Sequence, residues 1–249
     1  MKKACLMITG QMRTYYKCFT NQLEMIINEN KDEYEFHIVI FTEYYGKKGG
    51  SQKNNFINKE NGYNEFKMNM EKIYGKYLKS VIIETHDNKI NYPEYLNGYG
   101  PWIALYRNNY LFDKIEGINE YDIFIRLRPD IVLTNKISLN KLNINKKIVI
   151  ICGQQRNDRR WLHNRDWDHM HITDKKGMEL WNDYYKFINN EEEIFNNEIR
   201  FNNKGYWEFN KTNDKSIIAT QIFMKYIKEN DYNLDFNESL NCYSIPVRQ

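Results

Sequence analysis

The chain has 249 residues, a formal net charge of +3 and a sequence pI near 8.4. No run of about 18 apolar residues occurs, so no transmembrane helix is expected, and the apolar run Ala4–Ile8 is too short for a signal-peptide core and is cut by Gly10, Gln11 and Arg13. With 41% hydrophobic and 15% aromatic residues the chain is too apolar for disorder, and +3 over this length does not mark a nucleic-acid binder. A single domain, 1–249, is the economical expectation.

The four cysteines, Cys5, Cys18, Cys152 and Cys242, are widely spaced and form no C-x-x-C pair. Reduced, buried thiols in a cytoplasmic protein are expected rather than a zinc ribbon or a disulfide scaffold. The composition is otherwise lopsided: 34 Asn, 30 Ile, 26 Lys and 20 Tyr stand against 3 Ala. The first four residues have AT-rich codons, which points to an AT-rich genome such as that of a low-GC bacterium or a large DNA virus. An Asn, Lys or Tyr therefore carries little functional information on frequency grounds. Arg, at 10 copies, carries more.

In chain order, Lys3–Gly10 (KACLMITG) reads as a buried strand closed by glycine. Tyr16–Asn30 has Phe19, Leu23, Ile26 and Ile27 at helical spacing. Phe36–Thr42 (FHIVIFT) is a second buried strand, and 46–55 is a polar Gly/Lys-rich loop. Phe66–Tyr77 predicts a helix and Val81–Glu84 a third strand. Pro101 opens a helix that Gly117 ends. Tyr121–Leu133 (YDIFIRLRPDIVL) is the most strand-like stretch of the chain. Lys147–Cys152 and His169–Ile172 follow as strands. Thr173 or Asp174 caps a helix from Lys175 to about Asn189. A helix over Lys215–Asn230 and two short strands, Tyr232–Phe236 and Cys242–Val247, close the chain. This alternation predicts an α/β fold with a mostly parallel sheet. Ligands of such sheets bind beyond the carboxyl ends of the strands, so the residues following each strand are the first place to look for a site.

After the first strand comes TGQMR. Thr9 begins it, Gly10 permits close backbone approach, Gln11 offers an amide and Arg13 is a cation suited to phosphate. It is neither a P-loop nor a G-x-G-x-x-G fingerprint, and a plain strand-to-helix turn is the alternative. After Ile125, Arg126, Arg128 and Asp130 alternate, so an extended chain would put them on one face. Two cations and a carboxylate at the end of an apolar strand need partners. A diphosphate suits the arginines and a divalent metal suits Asp130, while the alternative is a structural Arg–Asp pair. Further on, Trp161 can stack on a base or sugar ring. In DWDHMH, Asp166 and Asp168 alternate beside His169 and His171. They offer a functional carboxylate, a transition-metal site or a strand-edge histidine pair.

These pieces resemble a family. LMITGQMRTY is similar to the SGQ-x-R opening of glycosyltransferases found in large DNA viruses and bacteria. YDIFIRLRPDIVL resembles their strand ending in Arg-x-Arg-Pro-Asp, which is the most specific of the matches. DWDHMHITDKKGMELWNDYY and the tail TQIFMKYIKENDYNLDFNESLNCYSIPVR resemble the later segments, so the likeness is scattered over nearly the whole chain. The resemblance implies a single-domain GT-A-like (Rossmann-like) α/β fold. It implies transfer of a sugar from a nucleoside-diphosphate sugar to an acceptor hydroxyl on a glycan or glycoprotein. By position, Gly10, Gln11 and Arg13 border the nucleotide and Asp130 stands where a metal-binding Asp-x-Asp ends. Arg128 replaces the first Asp of that pattern, so Mn²⁺ or Mg²⁺ is an open expectation, and the arginines can neutralise the diphosphate instead. Asp168, with Asp166 as rival, is the candidate general base. Two other readings stand beside this one. One is a metal-dependent phosphohydrolase built on Asp166, Asp168, His169 and His171. The other is a non-catalytic nucleotide-sugar-binding protein.

Overall fold

The computed structural model describes residues 1–10, 12, 15–43, 62–84, 108–151, 169–188, 226–237, 239–240 and 242–244. The expected strands 1 to 3 are β1 (Lys2–Thr9), β2 (Tyr34–Glu43) and β3 (Leu78–Glu84). They pair in parallel, β1 with β2 and β2 with β3. Continuous apolar sequence is what a strand buried on both faces requires. In β1, Ala4, Leu6 and Ile8 enter one core cluster, while Cys5 and Met7 enter the other. The helix expected from Tyr16 is α1 (Tyr15–Gln22), and it continues as a π-helical stretch, Leu23–Asn28. The next helix is α2 (Gly62–Tyr74), followed by a 3₁₀ turn, Gly75–Tyr77. Tyr15 of α1 meets Phe66 of α2 edge to face at 5.9 Å, and both lie in the cluster of Leu6 and Ile8. Thus α1 and α2 cover the same face of the sheet.

The chain then changes both face and direction. Residues 108–112 are helical, and Leu111, Phe112 and Ile115 pack into the opposite cluster with Cys5, Phe41 and Phe124. The helix ends at Phe112 and not at Gly117, and Gly117, at φ +65°, instead takes the left-handed conformation just before a 3₁₀ turn, Ile118–Glu120. β4 (Ile123–Leu127) then pairs with β1 on the side away from β2. The reversal of direction between β2 and β4, about β1, is the switch point of the sheet.

Tyr121–Leu133 is not one strand. It divides at Arg128–Pro129–Asp130 into β4 and β5 (Ile131–Leu133), and β5 leaves the main sheet to pair antiparallel with β9 (Cys242–Ser244). Proline lacks the amide that would continue the ladder. The strict alternation expected for Arg126, Arg128 and Asp130 therefore stops at Leu127.

β6 (Lys147–Ile151), β7 (Met170–Thr173) and β8 (Asn233–Phe236) complete a seven-stranded sheet of order β3-β2-β1-β4-β7-β6-β8. Only β7 runs against its neighbours β4 and β6, so the sheet is mostly parallel and the fold is Rossmann-like α/β. After β7, α3 (Lys175–Ile188) is capped by Asp174, whose Oδ1 accepts the Gly177 N–H at 2.8 Å. Thr173, the other possible cap, instead donates its hydroxyl to the Lys147 carbonyl at 2.8 Å. Among the described residues no helix is long and apolar enough to cross a membrane. Much of the expected helices from Pro101 and Lys215, the 46–55 loop and Cys152 lie outside the described residues.

Candidate functional site at the switch point of the sheet

Five of the residues singled out in the sequence lie together where β1 and β4 end side by side. Thr9 is 2% exposed and Arg126 is also 2% exposed. The guanidinium Nε of Arg126 donates to Thr9 Oγ1 at 2.9 Å, which ties the two strand ends together. Gly10 follows at φ +133°, a conformation that strains any residue with a side chain, and a Cβ there would come within 3.3 Å of Pro129 Cδ. This contact is the close approach that glycine allows between the β1 exit and the turn after β4.

Arg128 and Asp130 bracket that turn and bind each other. Arg128 Nε donates to Asp130 Oδ1 at 2.9 Å and Nη2 donates to Oδ2 at 2.7 Å, a two-pronged pair. The Arg128 side chain is 26% exposed and that of Asp130 is 12% exposed. Of the two arginines, then, Arg128 is the one a ligand in solution can meet, while Arg126 is enclosed.

This pairing is the Arg–Asp pair that the sequence offers as the alternative to a metal role for Asp130. A metal ligand needs carboxylate lone pairs directed at the ion. Both Asp130 oxygens accept from the Arg128 guanidinium, which takes up part of their lone-pair capacity and offsets part of the charge that would attract a dication. Among the described residues no three His, Cys, Asp or Glu side chains gather as a metal site.

The antiparallel direction of β7 gives the site its third wall. Its first residue, Met170, pairs with Leu127, the last residue of β4. The backbone N–H of Arg128 donates to the carbonyl of His169 at 3.0 Å. For this strand it is the start, His169 and Met170, that lies beside the end of β4, and Asp168 immediately precedes His169 in sequence. Asp166, Asp168, Gln11, Arg13 and Trp161 themselves lie outside the described residues. His171 faces Arg126 across the β4–β7 pair and is 1% exposed, with its ring centroid 3.6 Å from that of Trp181. A histidine buried against an indole is a poor start for an open metal centre.

Sequence reasoning missed Gln22. It is 1% exposed, and its amide nitrogen lies 2.9 Å from the Ile131 carbonyl and 3.3 Å from that of Arg128. The only signal was an amide residue at the end of a helix facing an apolar core.

Chemically, the site offers one accessible guanidinium held by a carboxylate, a second cation behind it and a glycine-lined backbone approach. That set suits a ligand with adjacent negative charges. The sequence matches no protein-family model and no curated protein.

Proposed function

We propose that this protein is a glycosyltransferase that moves a sugar from a nucleoside-diphosphate sugar to an acceptor hydroxyl on a glycan or glycoprotein. The observation that carries the reading is the presence of Arg128, two-pronged on Asp130, at the switch point of a mostly parallel sheet. In the reaction the bond between the sugar C1 and the diphosphate oxygen breaks, and the nucleoside diphosphate leaves with the electron pair. The acceptor oxygen bonds to C1 and gives up its proton. Arg128 would offset the charge that develops on the departing diphosphate. Arg126, braced by Thr9, adds positive potential behind it, while Gly10 leaves room for the donor against the backbone. Asp168 is the proposed base that takes the acceptor proton in an inverting transfer, with Asp166 as its rival.

Incubation of the chain with a panel of nucleotide-sugars, read as released nucleoside diphosphate, tests this. Turnover with one donor is expected, and Asp168→Ala should lower it roughly 10²–10⁴-fold while leaving donor binding in place. Binding without turnover under every acceptor tried would make the chain a nucleotide-sugar-binding protein. Hydrolysis of a phosphate ester, lost in His169→Ala, would replace the reading with a phosphohydrolase.

A further inference from the structure

Gln22 stands at the junction of α1 and the π-helical stretch, almost wholly enclosed. Its amide nitrogen is within reach of three carbonyls: Ile131, the first residue of β5, at 2.9 Å, and Arg128 and Pro129 of the turn between β4 and β5 at 3.3 Å and 3.4 Å. Enclosed carbonyls need a donor, and the two N–H groups of one side-chain amide are shared among these three. The opposite side of the turn is fixed by the bond from the Arg128 N–H to the His169 carbonyl. The turn that carries Arg128 and Asp130 is thus held between α1 and the approach to β7.

The same helix holds the chain that follows. Asn21 pairs in both directions with Leu133, donating at 3.0 Å and accepting at 2.7 Å. Asn30 donates to the Ile137 carbonyl at 2.6 Å and accepts the Leu139 N–H at 2.8 Å, and the Met25 carbonyl accepts the Ile137 N–H at 2.9 Å. Asn21 and Asn30 are nine residues apart. At about 100° per residue an uninterrupted α-helix would turn them to opposite sides. The π-helical stretch Leu23–Asn28 lies between them, and its wider turns rotate less per residue. That deviation lets both asparagines face the 131–139 segment.

We infer that Gln22 is a positioning residue for the site: its amide fixes the Arg128–Pro129–Asp130 turn and so sets the Arg128–Asp130 pair at the mouth of the switch point. The inference rests on the reading that Arg128 meets the diphosphate. It deepens that reading, because the guanidinium is then aimed by a helix on the far side of the turn.

The test uses the full chain, ¹⁵N-labelled, as wild type, Gln22→Met and Gln22→Glu. In the wild type the Arg128 Nε–H, bound to Asp130, should exchange slowly with solvent. In Gln22→Met its resonance should move to that of a solvent-exposed arginine, while the amide resonances of β1 and β2 stay in place. With ADP, GDP, CDP and UDP as probes, the dissociation constant of whichever binds should rise about tenfold, a loss of about 1.4 kcal/mol. Gln22→Glu covers the case in which the methionine variant fails to fold. A neutral carboxylic acid keeps one O–H donor, whereas its anion faces three carbonyls with none. Its Arg128 signal should be wild-type-like near pH 5 and displaced near pH 8, because burial holds such a carboxyl neutral well above the usual range. An unchanged Arg128 signal in folded Gln22→Met, or a pH-independent one in Gln22→Glu, overturns the inference. Failure of the wild type to bind any of the four diphosphates overturns the functional reading instead, and the Arg128 signal still decides the role of Gln22.

Discussion

Arg126 and Arg128 are two residues apart and do different work. Arg126 is enclosed and gives its Nε–H to Thr9, so the bond belongs to the structure. Thr9→Val keeps the shape and removes the acceptor. A hydrogen bond to a charged group is worth about 1.5–3 kcal/mol, and urea unfolding should show a loss in that range. Arg128 is partly open and shares its charge with Asp130. Asp130 therefore holds the guanidinium in the direction in which a ligand would meet it. Asp130→Asn should weaken nucleoside-diphosphate binding several-fold, because Arg128 is no longer fixed before the ligand arrives. Calorimetric titration checks this, and tighter binding in Asp130→Asn would mean that the carboxylate competes with the ligand and does not orient Arg128.

Among the elements, those defined by apolar period were legible and those defined by amide chemistry were not. β1, β2, β6 and α3 follow their sequence patterns to within two or three residues, because continuous apolar runs and a capping Asp174 each have one good structural solution. The Tyr121–Leu133 stretch, the most strand-like of the chain, holds two strands, since Pro129 ends the ladder and β5 goes to a partner more than a hundred residues away. Discounting asparagine on codon grounds hid Asn21 and Asn30, which tie α1 to the 131–139 segment. The antiparallel sense of β7 was also invisible. It depends on how two strands meet, and no local pattern encodes that. At the start of α3, Gly177 lies against Thr173 and Tyr232, and a Cβ there would collide with the Thr173 hydroxyl. Gly177→Ala is expected to cost about 1–3 kcal/mol through overpacking, despite alanine's better helix propensity. A stabilised variant in thermal unfolding would show that α3 can shift away from β7.

Across the whole molecule, several ionisable groups are locked in the neutral state. Burial raises the phenol of Tyr121 to about 12. Burial, helped by the Asp174 carboxylate, also raises Tyr232, and burial raises Tyr74 and Tyr15. The Cys5 thiol is raised by burial as well. The sign follows from linkage. The unfolded chain loses these protons near the ordinary values of 9.0 for the thiol and 10.0 for the phenols, while the folded chain keeps them. Their stabilisation is complete below pH 9 and is lost as pH rises from there through the folded values. Alkaline titration followed by tyrosinate absorbance should show one set of phenols ionising normally and another only as the fold is lost. A single normal titration with the fold intact would contradict the packing around Tyr121 and Tyr232. The mostly parallel sheet followed from the order of strands and helices, whereas its switch point depends on which strands pair with β1, which that order does not encode. The pairing of Arg128 with Asp130 needed coordinates, because two arginines and an aspartate at alternate positions have several ways to satisfy their charge.

The proposed function requires that the ends of β1 and β4 bind a nucleoside diphosphate through Arg128. Thermal unfolding of wild type and Arg128→Ala, each with ADP, GDP, CDP and UDP, tests it most directly. A ligand present at a hundred times its dissociation constant adds about 2.7 kcal/mol to the folded state. A shift of that order is expected with at least one nucleotide in the wild type, and its loss in Arg128→Ala. No shift with any of the four, or an equal shift in both proteins, would contradict it.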